Sequence, residues 1–191
     1  MLDRPARGGN GARAVQRLNH PAMNIAKRSM AQVGAARPLL LLLGSLPGEA
    51  SLKAQRYYAH PHNQFWRLLG GATGEPLGEI DYPLRIERLA ARAVALWDVV
   101  GSAQRVGSLD SALRSITANP LADYVAEQPQ LVAIGFNGKT AARLGRRALG
   151  DTSLVLVELP SSSPAYTLAV AEKMERWSVL ADFVGSGTVA R

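Results

Sequence analysis

Four short apolar runs constrain this chain more than any other feature: residues 38–43 (PLLLLL), 94–100 (VALWDVV), 131–136 (LVAIGF) and 153–159 (SLVLVEL). Each is followed by a breaker, respectively Gly44, Gly101, Asn137-Gly138 and Pro160. Runs of this length between breakers read as strands rather than as helices, the first of them a buried one. Helical patterns lie between them. Residues 63–69 set Phe65, Trp66, Leu68 and Leu69 on one side, and Gly70-Gly71 should stop that helix. Pro83 opens an amphipathic stretch through Ala93, and residues 139–149 turn Ala141, Ala142, Leu144 and Ala148 inward. Further helices are expected from Ser111 (with Ser108 or Asp110 as cap), at residues 121–127 and over residues 166–183. Strands alternating with helices predict an α/β fold, a three-layer αβα sandwich around a short, mostly parallel four-stranded central sheet. The loops after the four strands then share one sheet edge, where ligands bind.

With 191 residues and 47% hydrophobic composition, the chain suits one domain, expected at residues 37–185, with a flexible end at 186–191. No cysteine is present, which excludes disulfides, a cysteine nucleophile, thiolate zinc sites and cysteine-ligated iron–sulfur clusters. His20, His60 and His62 are the only histidines; loop packing suits the latter two better than metal ligation. The formal charge of +7 is concentrated at one end: residues 1–37 hold seven Arg and Lys against Asp3, leaving the body near +1. Nucleic acid would therefore meet a local patch rather than a global field. Residues 1–36 are expected to form a basic, disordered extension, or to reflect a start placed too early, with Met23 or Met30 as alternatives. They lack the apolar core of a secretory signal, though an Arg-rich, acid-poor stretch can mimic a transit peptide. No apolar run approaches the roughly 20 residues of a membrane helix.

The loop after the first run, residues 44–66 (GSLPGEASLKAQRYYAHPHNQFW), mixes glycine, proline, histidine, tyrosine, asparagine and tryptophan beyond what a connection requires. There is no dinucleotide fingerprint and no Gly-x-Ser-x-Gly elbow, and GFNGKT at 135–140 has the wrong glycine spacing for a phosphate loop. GSLPG with YYAHPHNQFW, then FNG, then LPSSSPA, taken in this order, resemble the uracil-DNA glycosylase superfamily. They are most similar to its hypoxanthine-DNA glycosylase (DNA-deoxyinosine glycosylase) branch, over residues 39 to 184. The absence of cysteine argues against the iron–sulfur branches.

The resemblance implies a monofunctional hydrolase of N-glycosyl bonds, working in base excision repair without metal or organic cofactor. Its partner would be double- or single-stranded DNA containing deaminated bases, with no membrane, the protein acting as a monomer in the cytosol and nucleoid if prokaryotic. Such an enzyme extrudes a nucleotide and lets water attack a cation-like sugar, so a neutral group that aims water suffices. Leu46 stands where many members carry the water-positioning Asp or Asn; the resemblance to the hypoxanthine branch shifts that role to Asn63. Asn63 equally suits a helix cap. Tyr58 matches an aromatic that stacks on the flipped base, at about 1–3 kcal/mol, and the backbone amides of Ser45 and Leu46 would line the pocket. Asn137 matches a base-reading asparagine and also a turn residue. Ser161, Ser162, Ser163 and Pro164 match the loop that grips phosphates and wedges the duplex, and also an ordinary Ser/Pro turn. Leu159 replaces a histidine that supports departing uracil, which disfavours uracil and favours a purine. Lys139 reads as an exposed helix residue, so no lyase activity is expected. The rival readings are a uracil or xanthine (mismatch-specific) DNA glycosylase, a non-catalytic binder of damaged DNA, and a nucleoside hydrolase.

Overall fold

A computed structural model describes residues 26–185. In chain order the strands are β1 (Ala26–Arg28), β2 (Val33–Gly34), β3 (Leu40–Gly44), β4 (Val94–Asp98), β5 (Val100–Gln104), β6 (Arg114–Ala118), β7 (Ala133–Asn137) and β8 (Val155–Leu159). The helices are α1 (Glu49–Ala54), α2 (Phe65–Thr73), α3 (Tyr82–Ala91), α4 (Leu121–Ala126), α5 (Lys139–Leu149) and α6 (Val170–Trp177). The main sheet has the order β2-β4-β3-β7-β8, in which β3, β4, β7 and β8 are parallel and β2 pairs antiparallel with β4. The α/β sandwich is as expected, with a fifth, two-residue strand added at the edge.

Strand β3 is central, and all five of its residues are buried. Its side chains alternate between the two faces, as strand geometry requires. Leu40 and Leu42 join Val94, Leu96, Phe65, Trp66, Leu68 and Trp177 in one core cluster. Leu41 and Leu43 join Ala95, Ile134, Phe136, Leu121, Ala141 and Ala142 in the other. Burying each such leucine is worth about 1.5–3 kcal/mol, so a run of poor strand formers is held in the sheet by two-sided packing rather than by local preference.

Several expectations are corrected. The part of the N-terminal region from residue 26 onward belongs to the fold: β1 pairs with β5, and β2 with β4. Between them the Met30 carbonyl accepts hydrogen bonds from Trp97 Nε1 at 3.2 Å and the Tyr57 hydroxyl at 3.3 Å. Residues 1–25 and 186–191, and the expectations made for them, lie outside the described residues. The run at 94–100 is two strands, because β4 ends at Asp98 and β5 starts a second, antiparallel sheet of order β1-β5-β6. No α-helix starts at Ser111. A 3-10 turn at Asp110–Ala112 leads into β6, which pairs with β5 through an irregular register. Gly70 and Gly71 do not stop α2 but lie within it, and at Gly70 a Cβ would sit 2.6 Å from the Glu75 carbonyl oxygen, so the close approach of that backbone needs glycine. The last helical region begins only at Val170 and continues after Trp177 as a 3-10 segment, Ser178–Phe183.

The register sets the site. Gly44 lies opposite Asp98, and the next position along the neighbouring strand after the Leu43–Phe136 pair is Asn137. Three adjacent parallel strands therefore end at one level, and the loops that follow them open together at the carboxyl edge.

Candidate active site

The strand ends floor a cavity of about 530 Å³ whose walls come from the residue 45–63 loop, the residue 108–111 turn and the residue 161–166 loop. Gly44 makes the floor possible. A Cβ there would lie 2.7 Å from Asp98 Oδ1 and 3.0 Å from the Tyr58 hydroxyl, so only glycine lets both side chains come up against the end of β3.

Tyr58 occupies the left-handed region at φ 54°, a conformation costing a non-glycine residue of order 1–3 kcal/mol. One face of its ring is stacked on Phe65, with centroids 3.6 Å apart and planes 8° from parallel, and Trp66 meets it edge-on. The ring is thus fixed as a wall of the cavity. Burial, reinforced by Asp98, pushes its hydroxyl pKa well up, which keeps the phenol neutral.

The GSLPG turn is held from behind. Arg105, 2% exposed, donates from Nη1 to the Leu46 carbonyl at 3.1 Å and from Nη2 to that of Pro47. The Ser45 hydroxyl donates to Asp110 Oδ1 at 2.6 Å. Leu46 lines the cavity while packing with Val100, Ala103 and Leu113 under the second sheet. The leucine at this position therefore completes a small core beneath the turn.

Asn63 lines the same cavity and also satisfies the first amide of α2, from one residue before the N-cap Gln64. Its Oδ1 accepts from the Phe65 amide at 2.9 Å, at the start of α2. The two readings of this residue are compatible, because an amide oxygen has two lone pairs and the cap uses one.

Asn137 and Ser162 are bound reciprocally: Asn137 Nδ2 donates to Ser162 Oγ and the Ser162 amide donates to Asn137 Oδ1, both at 2.8 Å. Asn137 thus lines the cavity while fixing the following loop, and Ser162, fully buried, faces Asn137 rather than solvent. Ser161, Ser163 and Pro164 line the cavity wall. The loop is tied to the Asn63 segment as well. The Gln64 amide donates to the Ser162 carbonyl at 3.0 Å, and buried Lys173 donates to Gln64 Oε1 at 2.9 Å and to the Tyr166 carbonyl at 2.7 Å. Desolvation lowers the pKa of this lysine.

Every residue singled out from the sequence as a site residue lines this cavity. Sequence reasoning missed Asp98, Arg105, Asp110 and Lys173 as site residues. An acid inside the otherwise apolar 94–100 run is the local signal that could have found Asp98; the others are placed by long-range contacts that leave no local pattern. Asp98 is 2% exposed, its Oδ2 accepting from the Ser29 hydroxyl at 2.7 Å and its backbone carbonyl from Asn119 Nδ2 at 2.8 Å. Burial pushes its carboxyl up to about 7, against the opposing hydrogen bonds of Ser29 and Tyr57. His60 and His62 are exposed, 5.5 Å apart between ring centroids, and among the described residues no group of three His, Asp or Glu side chains is placed to hold a metal.

A parallel-sheet edge carrying a stacked aromatic, a helix-starting asparagine and a serine loop around one cavity has the make-up of an active-site pocket: one flat apolar wall and a few converging polar groups. Comparison with known proteins makes the class specific. Residues 31–183 match the family described as the Uracil DNA glycosylase superfamily. The chain is 36% identical over 141 residues to a hypoxanthine DNA glycosylase of Methanosarcina barkeri, covering 73% of this chain and 87% of that protein. It is 35% identical over 143 residues to the protein of the same name from Methanosarcina acetivorans, covering 74% and 89%. A solution NMR structure of a candidate uracil DNA glycosylase from Methanosarcina acetivorans superposes with a TM-score of 0.72 at 33% identity, covering 82% of this chain and 97% of that one. The chain belongs to the uracil DNA glycosylase superfamily and is a DNA glycosylase, a hydrolase acting on N-glycosyl bonds.

Proposed function

We propose that the base removed is hypoxanthine, released from deoxyinosine in DNA by a monofunctional hydrolysis. The observation that carries this reading is the place of Asn63: it lines the cavity that Tyr58 walls, while Leu46 in the first loop offers no side chain able to orient water. The names of the two similar Methanosarcina proteins support the same lesion.

The extruded base stacks on the free face of Tyr58, whose other face rests on Phe65. The second lone pair of Asn63 Oδ1 accepts a hydrogen from a water and aims its oxygen at the anomeric carbon. As the C1′–N9 bond breaks, the sugar becomes cation-like and the aimed water adds to it, leaving an abasic site and a free base. Ser161, Ser163 and backbone amides of the last loop contact the flanking phosphates. Ser162 and Asn137 hold that loop in place. Lys139 is exposed at the start of α5, where it lines a smaller side pocket rather than the main cavity, and so forms no Schiff base with the abasic sugar.

The test is a panel of duplexes and single strands containing deoxyinosine, deoxyuridine or deoxyxanthosine, scored for abasic product after alkaline cleavage. Preferential cleavage at deoxyinosine is expected. Faster removal of uracil or xanthine would replace the lesion assignment, and tight binding without product would turn the reading to a damaged-DNA binder.

A further inference from the structure

Asp98 takes no part in stacking, in aiming water or in phosphate contact, yet it is the buried acid of the cavity. Its position follows from register: it pairs with Gly44, and the missing side chain of that glycine lets Oδ1 reach the floor. The Tyr58 hydroxyl abuts the same point, which places the carboxyl at the end of the cavity where the stacked base sits. The other oxygen is held in a way that suits either protonation state. Ser29 Oγ lies 2.7 Å from Oδ2 and 3.1 Å from the Met30 carbonyl. Oδ2 accepts the Ser29 proton whether or not the carboxyl is ionised, which leaves Oδ1, at the floor of the cavity, to carry the acid proton.

The other acids of the cavity are engaged elsewhere. Glu49 accepts from Lys27 Nζ at 2.6 Å, which holds its carboxyl below the usual range, and Asp110 accepts from Ser45. Leu159, where the resemblance implies a histidine supporting the departing base, is 2% exposed and apolar.

We infer that Asp98 is the acid that delivers a proton to the ring nitrogen of the departing purine, an assignment that rests on deoxyinosine being the substrate. The proton moves from the Asp98 carboxyl to N7 while the electron pair of the C1′–N9 bond passes into the ring, so hypoxanthine leaves neutral. Water adds to C1′ and releases its own proton to solvent, and the Asp98 carboxylate regains a proton from solvent once the base has gone. The groups facing Asp98 fix its titration. Burial raises its pKa to about 7; Ser29 and Tyr57 lower it by hydrogen bonding, Arg105 lowers it by charge, and Asp110 raises it. Tyr58, with a phenol pKa raised well above its ordinary value, stays neutral beside it.

Single-turnover release of hypoxanthine from a deoxyinosine duplex, followed from pH 5.5 to 9, tests this. Wild type should be flat below about pH 7 and lose about tenfold per pH unit above it. Asp98→Asn should lower the plateau by about 100-fold or more and abolish the break, with binding of a tetrahydrofuran abasic duplex unchanged within about twofold. Ser29→Ala keeps the acid but removes a hydrogen bond that favours its charged form, so its break should move to higher pH; this decides the matter if Asp98→Asn does not fold. An Asp98→Asn enzyme with the wild-type plateau and break, or a Ser29→Ala break that does not move, overturns the assignment of Asp98 alone. Wild type that releases no hypoxanthine from deoxyinosine overturns the lesion reading, and the acid falls with it.

Discussion

The side chains of the cavity carry paired duties, and the pairing predicts how each variant fails. Tyr58 both rests on Phe65 and walls the pocket. Tyr58→Ala should weaken binding of a duplex with an extruded base by about 1–3 kcal/mol, and Tyr58→Phe should keep most of that affinity, as titrations with a fluorescent lesion duplex would show. Asp98 leaves a signature in stability too. Burial raises its pKa from the ordinary 3.8 to about 7 in the folded chain, so folding is favoured by proton binding. That contribution is fully present below about pH 4 and is lost as pH rises through about 7. Denaturant midpoints of wild type should fall across this window relative to those of Asp98→Asn, and the difference should level off above it. A difference independent of pH would mean that the carboxyl titrates in its ordinary range.

Elements set these residues by contacts of two kinds, and only one kind is local. The four parallel strands were legible because PLLLLL, VALWDVV, LVAIGF and SLVLVEL are each short, apolar and closed by a breaker, and α5 was legible from its periodic alanines. The β5–β6 hairpin was not, since Ser108 and Asp110 look like helix caps until Arg114 to Ala118 pair with β5. The same holds for residues 26–34, whose strands exist through pairing with β5 and β4 far along the chain. Gly70 does not end α2 for a related reason: its close approach to the Glu75 carbonyl, invisible locally, is what needs glycine there. In the site, the three loops could be read from residue type and order, whereas the Asn137–Ser162 clasp and the Lys173 tie needed coordinates. Asn137→Ala leaves the Ser162 amide and hydroxyl without their partner in a buried position, costing about 1–3 kcal/mol. It should raise KM for lesion duplex more than it lowers kcat, because the loop rather than the water loses its support; a pure kcat defect would assign Asn137 to the chemistry.

Across the whole molecule, charge and fold are separable. Residues 1–25 contribute four arginines against one aspartate, whereas the segment from residue 26 onward secures Asp98, Trp97 and Tyr57 through Ser29 and Met30. Deleting residues 1–25 should leave single-turnover excision unchanged and flatten the salt dependence of DNA binding, in proportion to the number of phosphates those arginines neutralise. Deleting through residue 36 should instead lower both thermal stability and excision, because it removes β1, β2 and the Asp98 partner. Equal excision by the two truncations would show that the N-terminal strands do not support the site.

On the proposed mechanism excision depends most on Asn63, whose oxygen accepts from the first amide of α2 and is assigned the attacking water. Single-turnover hypoxanthine release by Asn63→Ala and Asn63→Asp, each normalised to binding of an abasic-analogue duplex, separates the two duties. The alanine variant should lose about 100-fold or more in rate and about 1 kcal/mol in stability, while aspartate, which caps as well as asparagine and also accepts from water, should restore both, to within about tenfold in rate. Wild-type release by Asn63→Ala, with only the cap lost, would contradict the assignment of the water to Asn63.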